Sequence, residues 1–320
     1  MYINIYRGII VISQSCEMDQ SMGNRFSLSI SFSHTIFVLQ LIVFSFIPFS
    51  SSTPFIVLHG ISMACIDGGS MYYTMTLSSM TKVKGSCVEV GNGLFDSWMM
   101  PMNKQVADAC SKVKRMPELK RGYNMVALSQ GNMVGRGVIE ECDGPPVKNF
   151  ISVGGPDAGH ASTYPCGKFP WCNTIGHFYG MGVYNDFAQT HLAPSGYIKI
   201  PSDIPGYLKG CRYLPRLNNE IKDKDSALRK KRFTSLQRLV LVLFQADTII
   251  LPQESSWFGY YPNGDFSKAV PMQQTDVYKK DLFGLQTLDK AKKIKFFKVP
   301  GIHLGITPPE IQKYMVPYMT

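Results

Sequence analysis

Three side chains, Ser129, Asp247 and His303, stand in the order and settings that nucleophilic acyl transfer needs. Ser129 lies in Ala127-Leu128-Ser129-Gln130-Gly131, where a buried-strand pattern over Tyr123 to Leu128 gives way to a helical pattern over 130–141. A serine on so sharp a turn needs small neighbours, because adjacent backbone comes too close for larger side chains. Ala127 stands where the G-x-S-x-G pattern carries its first glycine. For the pentapeptide alone, a serine that merely caps a helix is the structural alternative. Asp247 follows the apolar run Leu239 to Phe244 by three residues. His303 follows the run Lys293 to Val299, inside Pro300-Gly301-Ile302-His303-Leu304-Gly305. A serine, then an acid, then a histidine, the last two on loops after late strands, is the order that one hydrolase architecture requires. His303 would take the Ser129 proton and return it to a leaving group, while Asp247 would hold the imidazole tautomer and stabilise the imidazolium. The negative oxygen formed on attack needs backbone N–H donors. Gln130, just after the nucleophile, supplies one; Ile61, in the loop His59-Gly60-Ile61, supplies the other. His59 itself is expected to be a structural hydrogen-bonder.

The elements that must position these groups alternate between short β-branched runs and longer amphipathic stretches. Phe55 to Leu58 reads as a buried strand, and Cys87 to Val90 as a second, closed by Gly91-Asn92-Gly93. Pro101 opens a helix to about Met116, with Val106, Ala109, Cys110 and Val113 on one face. Phe150 to Val153 is a strand stopped by Gly154-Gly155-Pro156, and Pro308 opens a terminal helix. Residues 157–235 break the alternation; rich in Gly, Pro, Tyr and polar groups, they are too long for a plain loop and are expected to form a helical layer. The pattern predicts an α/β fold, a mostly parallel central sheet flanked by helices, with a helical insertion before the acid-bearing strand. That is the α/β-hydrolase architecture.

With 320 residues, 45% of them hydrophobic and 18% charged, the chain is globular rather than disordered. Its net charge of +10 sits partly in runs such as Arg229-Lys230-Lys231-Arg232. These read as solvated surface with some attraction to anionic membranes. Nucleic-acid binding is not indicated, since neither zinc-finger spacing nor an aromatic RNA-binding signature occurs. Of the eight cysteines, Cys166 and Cys172 lie six apart and no CxxC occurs, so neither a metal site nor a cofactor is implied. Ile36 to Ile47 is nearly unbroken apolar sequence followed by Pro48 and Ser50-Ser51-Ser52, the pattern of a cleavable signal peptide. A signal anchor or a buried strand is the alternative. Residues 1–52 are thus expected to be an N-terminal extension with a signal-like segment, translation starting at Met1 or Met22, and residues 53–320 a single domain.

From Pro54 to Thr320 the chain resembles the palmitoyl-protein thioesterase family. The segments that carry the resemblance are PFIVLHG, EVGNG, GYNMVALSQGN, PPVKNFISVGGP, DTIILP, SSWFGYYPNG and GIHLGI; HLAPSGYIK and YLPRLNNE are similar to the plant branch. The resemblance implies hydrolysis of palmitoyl thioesters on S-acylated cysteines through an acyl-serine, with Ser129, Asp247 and His303 as nucleophile, acid and base and the Ile61 and Gln130 amides as oxyanion donors. It implies disulfides Cys110–Cys142 and Cys166–Cys172; Cys65 with Cys87 is a further pairing, while Cys16 and Cys211 have no assigned partner. The expected partners are S-palmitoylated proteins or peptides and long-chain acyl thioesters. A lumenal location, lysosome or vacuole or the cell exterior, is expected, with transient membrane contact. Phe169, Trp171, Phe178, Tyr179, Met181 and Tyr184 are the candidate wall of an acyl groove, or else ordinary packing of the insertion. Two departures from the family, Ser62-Met63 after the first loop and Asp157 in place of a histidine, are expected at the pocket rim. No Asn-x-Ser/Thr glycosylation site occurs. A general lipase or carboxylesterase with the same triad and a non-catalytic lipid-binding relative are the alternative readings.

Overall fold

A computed structural model describes residues 53–161 and 182–319 of the chain. The signal-like segment, Cys16, Cys166, Cys172 and the groove candidates 169–181 lie outside the described residues. Six strands, β1 (Phe55–Leu58), β2 (Gly85–Val88), β3 (Tyr123–Leu128), β4 (Val147–Val153), β5 (Arg238–Phe244) and β6 (Ile294–Val299), form one sheet in the order β2-β1-β3-β4-β5-β6. Every neighbouring pair is parallel. All residues of β1 and β3 are buried. Such strands read as continuous apolar runs because helices cover both faces of the sheet.

Alternate residues divide between two cores. Ile56, Leu58, Met125, Ala127 and Phe150 face the layer of α2 (Met102–Lys114) and α3 (Gly131–Glu141). Phe55, Val57, Val126, Leu128 and Ile151 face α1 (Gly68–Thr81) and α5 (Pro308–Tyr314). Pro101 caps α2, as expected, and the second strand ends at Val88 rather than Val90. The described part of the 157–235 stretch consists of short helices, among them Asp186–His191, Ile204–Gly210 and α4 (Ser226–Thr234). Sheet growth runs from β1 outward to β2, then crosses to β3 on the other side. The carboxyl ends of β1 and β3 therefore form a topological switch point, where α/β sheets open a crevice for ligands.

Helix α1 is the element that sequence reading did not anticipate. It opens Gly68-Gly69-Ser70 and is rich in Ser and Thr, residues that are poor helix formers. Its hydroxyls are satisfied within the helix: Thr74, Ser78 and Thr81 donate to the carbonyls of Ser70, Thr74 and Leu77 at 2.7–2.8 Å. The legible signal is Asp67, whose carboxylate accepts from the Ser70 N–H at 2.8 Å and caps the helix.

Among the described residues two disulfides tie elements together. Cys65–Cys87 joins the loop after β1 to β2, and Cys110–Cys142 joins α2 to the end of α3. Cys211 is free and buried, and burial pushes its thiol up to about 12, so it is unreactive.

A buried cation ties α3 to the loop after β4. The Arg136 guanidinium lies 4.4 Å from the centre of the Phe283 ring and 5.3 Å from that of Phe258, and pairs with Glu140 at 3.0 Å. Its Nη1 donates to the Asp157 carbonyl at 3.1 Å and to Asn218 Oδ1 at 3.0 Å. Asp157 is not at a pocket rim, as the sequence suggested, but fully buried, its carboxyl accepting from Ser152 Oγ at 2.6 Å. The single cation is spent on Glu140 and on the Asp157 backbone, so burial dominates and pushes the Asp157 carboxyl up to about 7. An unfolded aspartate titrates near 3.9, so folding takes up a proton between about pH 4 and about pH 7. Stability is therefore expected to fall by about 1–4 kcal/mol as pH rises through that window. Urea unfolding across it measures the slope, which should flatten in Asp157→Asn; a slope unchanged in that variant contradicts the assignment.

Candidate active site

Ser129 sits on the turn between β3 and α3 with φ of +51°, in the left-handed region that non-glycine residues seldom occupy. Its N–H donates to the Val153 carbonyl at 2.9 Å, and its own carbonyl accepts from the Asn132 side-chain amide at 2.9 Å. Crowding explains the small neighbours. A Cβ on Gly131 would lie 2.6 Å from the His59 carbonyl oxygen and 2.7 Å from that of Leu58. A Cβ on Gly60 would lie 3.0 Å from both the Leu128 oxygen and Ser129 Cβ. Ala127 is tolerated because it precedes the turn: it is still in the sheet, in register between Leu58 and Ser152.

From the far side of the sheet come the two partners. His303 Nε2 lies 2.9 Å from Ser129 Oγ, and its Nδ1 lies 2.7 Å from Asp247 Oδ2. The other Asp247 oxygen accepts the N–H groups of Ile249 and Ile250 at 2.8 and 3.0 Å. This carboxylate is thus oriented by its own loop, and only 1% of its side chain is exposed. Such a chain fixes the imidazole with Nδ1–H toward the acid and Nε2 toward the hydroxyl, the arrangement that lets a serine lose its proton as it attacks. Gly154 leaves room for the ring, since a Cβ there would approach His303 Cε1 to 3.3 Å.

The histidine loop is held by α1. Tyr73 Oη donates to the Leu304 carbonyl at 3.1 Å and Tyr72 Oη to that of Ile306 at 3.0 Å. Neither tyrosine was singled out from the sequence; a tyrosine pair in a polar stretch gives no local signal.

The loop bearing Ile61 is braced from β2 and the segment after it. Ser62, with φ of +58°, accepts from Trp98 Nε1 at 2.6 Å and donates its N–H to Ser97 Oγ at 2.9 Å. Ser62 therefore serves as a hydrogen-bonding post, and Trp98 joins the supporting residues that the sequence did not disclose. Cys65 adds its disulfide and an N–H bond to Glu89 Oε2 at 2.9 Å. His59 is structural, as expected: buried, it accepts from the Val90 N–H at 3.0 Å. The Gln130 side chain spans Ser97 O and Tyr197 Oη at 2.7 Å each, which locks the start of α3. Gln130 caps that helix, so its N–H has no carbonyl of the same helix behind it. Tyr184 braces the insertion, its hydroxyl accepting from the Ile200 N–H at 3.0 Å and donating to the Ile198 carbonyl at 3.3 Å.

A six-stranded parallel sheet with helices on both faces, carrying a Ser–His–Asp hydrogen-bond chain at its switch point, is an α/β-hydrolase. Residues 54–303 match the palmitoyl protein thioesterase family, and the chain belongs to it. Palmitoyl-protein thioesterase 1 of Caenorhabditis elegans is 38% identical over 205 residues, covering 64% of this chain and 68% of that relative. Palmitoyl-protein thioesterase 3 of Dictyostelium discoideum is 31% identical over 271 residues, covering 85% of this chain and 91% of its own. Among solved structures, Est1E from Butyrivibrio proteoclasticus aligns with a TM-score of 0.44 at 11% identity, over 84% of this chain and 88% of that one.

The close approach at Gly131 makes a direct prediction. Gly131→Ala must push α3 away from β1, and is expected to lower stability by about 1–3 kcal/mol. It should also cut turnover by about tenfold or more, because the elbow moves with the helix. Thermal unfolding and steady-state kinetics of the purified variant check both; wild-type values in either would show that the contact can relax.

Proposed function

We propose that this protein hydrolyses long-chain acyl thioesters on S-palmitoylated proteins or peptides. The observation that carries the reading is the unbroken hydrogen-bond chain Ser129–His303–Asp247 in a member of this family. Ser129 Oγ attacks the thioester carbonyl while its proton passes to His303 Nε2. The Ile61 and Gln130 amides receive the negative oxygen. Collapse of the tetrahedral intermediate breaks the C–S bond, and His303 returns the proton to the departing cysteine sulfur. Water, deprotonated by the same nitrogen, then attacks the acyl-serine and releases the fatty acid. Asp247 holds the imidazole tautomer and stabilises the imidazolium.

Residues 53–320 act as one domain with the insertion at about 157–235, and the insertion supplies apolar surface for the acyl chain. A lumenal location fits the two disulfides, which persist in oxidising compartments. It also fits the signal-like run Ile36 to Ile47 and the name of a relative, the lysosomal thioesterase PPT2-B of Xenopus laevis, 33% identical over 208 residues. Lysosome or vacuole and the cell exterior share that route. No described helix is long and apolar enough to cross a membrane.

A fluorophosphonate probe should label the wild type and leave Ser129→Ala unlabelled. Asp247→Asn should retain the fold and lose about 10⁴-fold in turnover. Purified enzyme assayed on matched palmitoyl thioester and palmitoyl oxygen ester should favour the thioester. Turnover of the ester alone overturns the substrate assignment, and failure of the wild type to label overturns the enzyme reading.

A further inference from the structure

Every strand of the sheet points the same way, so the segments leaving the strands all emerge at one edge and those arriving all gather at the other. Ser129 is on the leaving edge. Six of the exposed large apolar residues lie in segments that leave strands. They are Ile66 after β1, Leu94 and Phe95 after β2, Ile249 and Leu251 after β5, and Ile302 after β6. Ile66 is 86% exposed, Ile302 71% and Phe95 57%. By strand order, Ile66, Leu94 and Phe95 fall on one side of the nucleophile and Ile249, Leu251 and Ile302 on the other.

The two edges differ in charge as well. Segments 59–67, 89–101, 154–161, 245–252 and 300–307, which leave the strands, contain neither Lys nor Arg. The segments that arrive, 82–84, 115–122, 142–146, 235–237 and 291–293, carry exposed Lys82, Lys84, Arg115, Lys120, Arg121 and Lys292, and no exposed large apolar residue. Among the described residues, the short segments that leave the strands are thus free of cations, whereas those that arrive carry several.

We propose that the carboxyl edge of the sheet docks on a phospholipid surface by inserting Ile66 and Phe95 on one side of Ser129 and Ile302 on the other. The inference rests on the depalmitoylating function proposed above, because a long acyl chain on a protein resides in a bilayer. An enzyme that receives it at an apolar mouth pressed to that surface spares the chain from crossing water. Exposed apolar side chains in the segments on both sides of a site mark a candidate interaction surface. With no Lys or Arg in the segments that carry Ile66, Phe95 and Ile302, docking there depends on apolar insertion and is insensitive to salt.

The test uses the intact protein, flotation with phosphatidylcholine vesicles with and without phosphatidylserine, and two substrates: an S-palmitoyl peptide carried in the vesicles and a water-soluble short-chain acyl thioester. Wild type should float with phosphatidylcholine alone, at low and high salt. An Ile66→Ser, Phe95→Ser double variant should lose about tenfold or more in vesicle affinity and in kcat/KM on the vesicle-borne peptide. Its turnover of the soluble thioester and its thermal unfolding should match wild type. Charge reversal at the opposite edge, Lys82→Glu with Lys84→Glu and Arg121→Glu, should change none of these. Binding that needs phosphatidylserine and vanishes on charge reversal overturns the proposal, because it places the membrane at the other edge. Equal losses on both substrates overturn it too, as does a dimer in lipid-free sedimentation that the double variant disperses. If wild type turns over neither substrate, the hydrolase reading fails, and flotation alone then decides the docking.

Discussion

Everything at the site depends on how closely two backbones meet where β1 and β3 end. The chain turns at Ser129 through a left-handed conformation and starts α3 immediately, so Gly131 slides beneath the carbonyls of Leu58 and His59 while Gly60 passes over Leu128 and Ser129. At Gly131 there is room for hydrogen and none for a methyl group, and at Gly60 a methyl group would be tight. A left-handed serine is a strained residue, and such strain persists only when its surroundings over-determine it. Here the Val153 carbonyl holds the Ser129 N–H and Asn132 holds its carbonyl, so the conformation is fixed from both ends.

The rest of the site is precise because other elements relay that rigidity. Asp247 is aimed by two amides of its own loop, and the histidine loop is hung from two tyrosine hydroxyls of α1. The loop bearing Ile61 is tied to β2 by a disulfide and to the following segment through Ser62, Ser97 and Trp98. Apart from the two amides on Asp247, these supports hold the loops rather than the three side chains. They convert a flexible set of loops at a sheet edge into fixed distances of 2.7 and 2.9 Å along the hydrogen-bond chain.

The parts of this arrangement readable from sequence were those whose signal is local. The runs Met125–Leu128 and Leu239–Phe244 are apolar throughout because both faces are covered, and such a run, followed by a turn residue, is visible in the letters. The three residues of the hydrogen-bond chain were visible for the same reason, each standing just past such a run. What was hidden depends on partners far along the chain. Helix α1 looks like a loop because its Ser and Thr side chains bond inside the helix instead of breaking it. Asp157 looks like a surface acid until Arg136 and Ser152 are placed around it. Ser62 looks like a lost acidic residue until Trp98 arrives from 36 positions away.

Ser129 and His303 are separated by 174 positions, and β4, the insertion and β5 all intervene. Ser129 therefore belongs to a part of the chain that is synthesised well before His303. Until β6 pairs with β5, the serine on its strained turn has no proton acceptor at hand, however well the first half has folded. Contacts of such long range form late in folding. The fold thus has a built-in order of assembly, in which the Ser129 turn is shaped before its hydrogen-bond partner arrives.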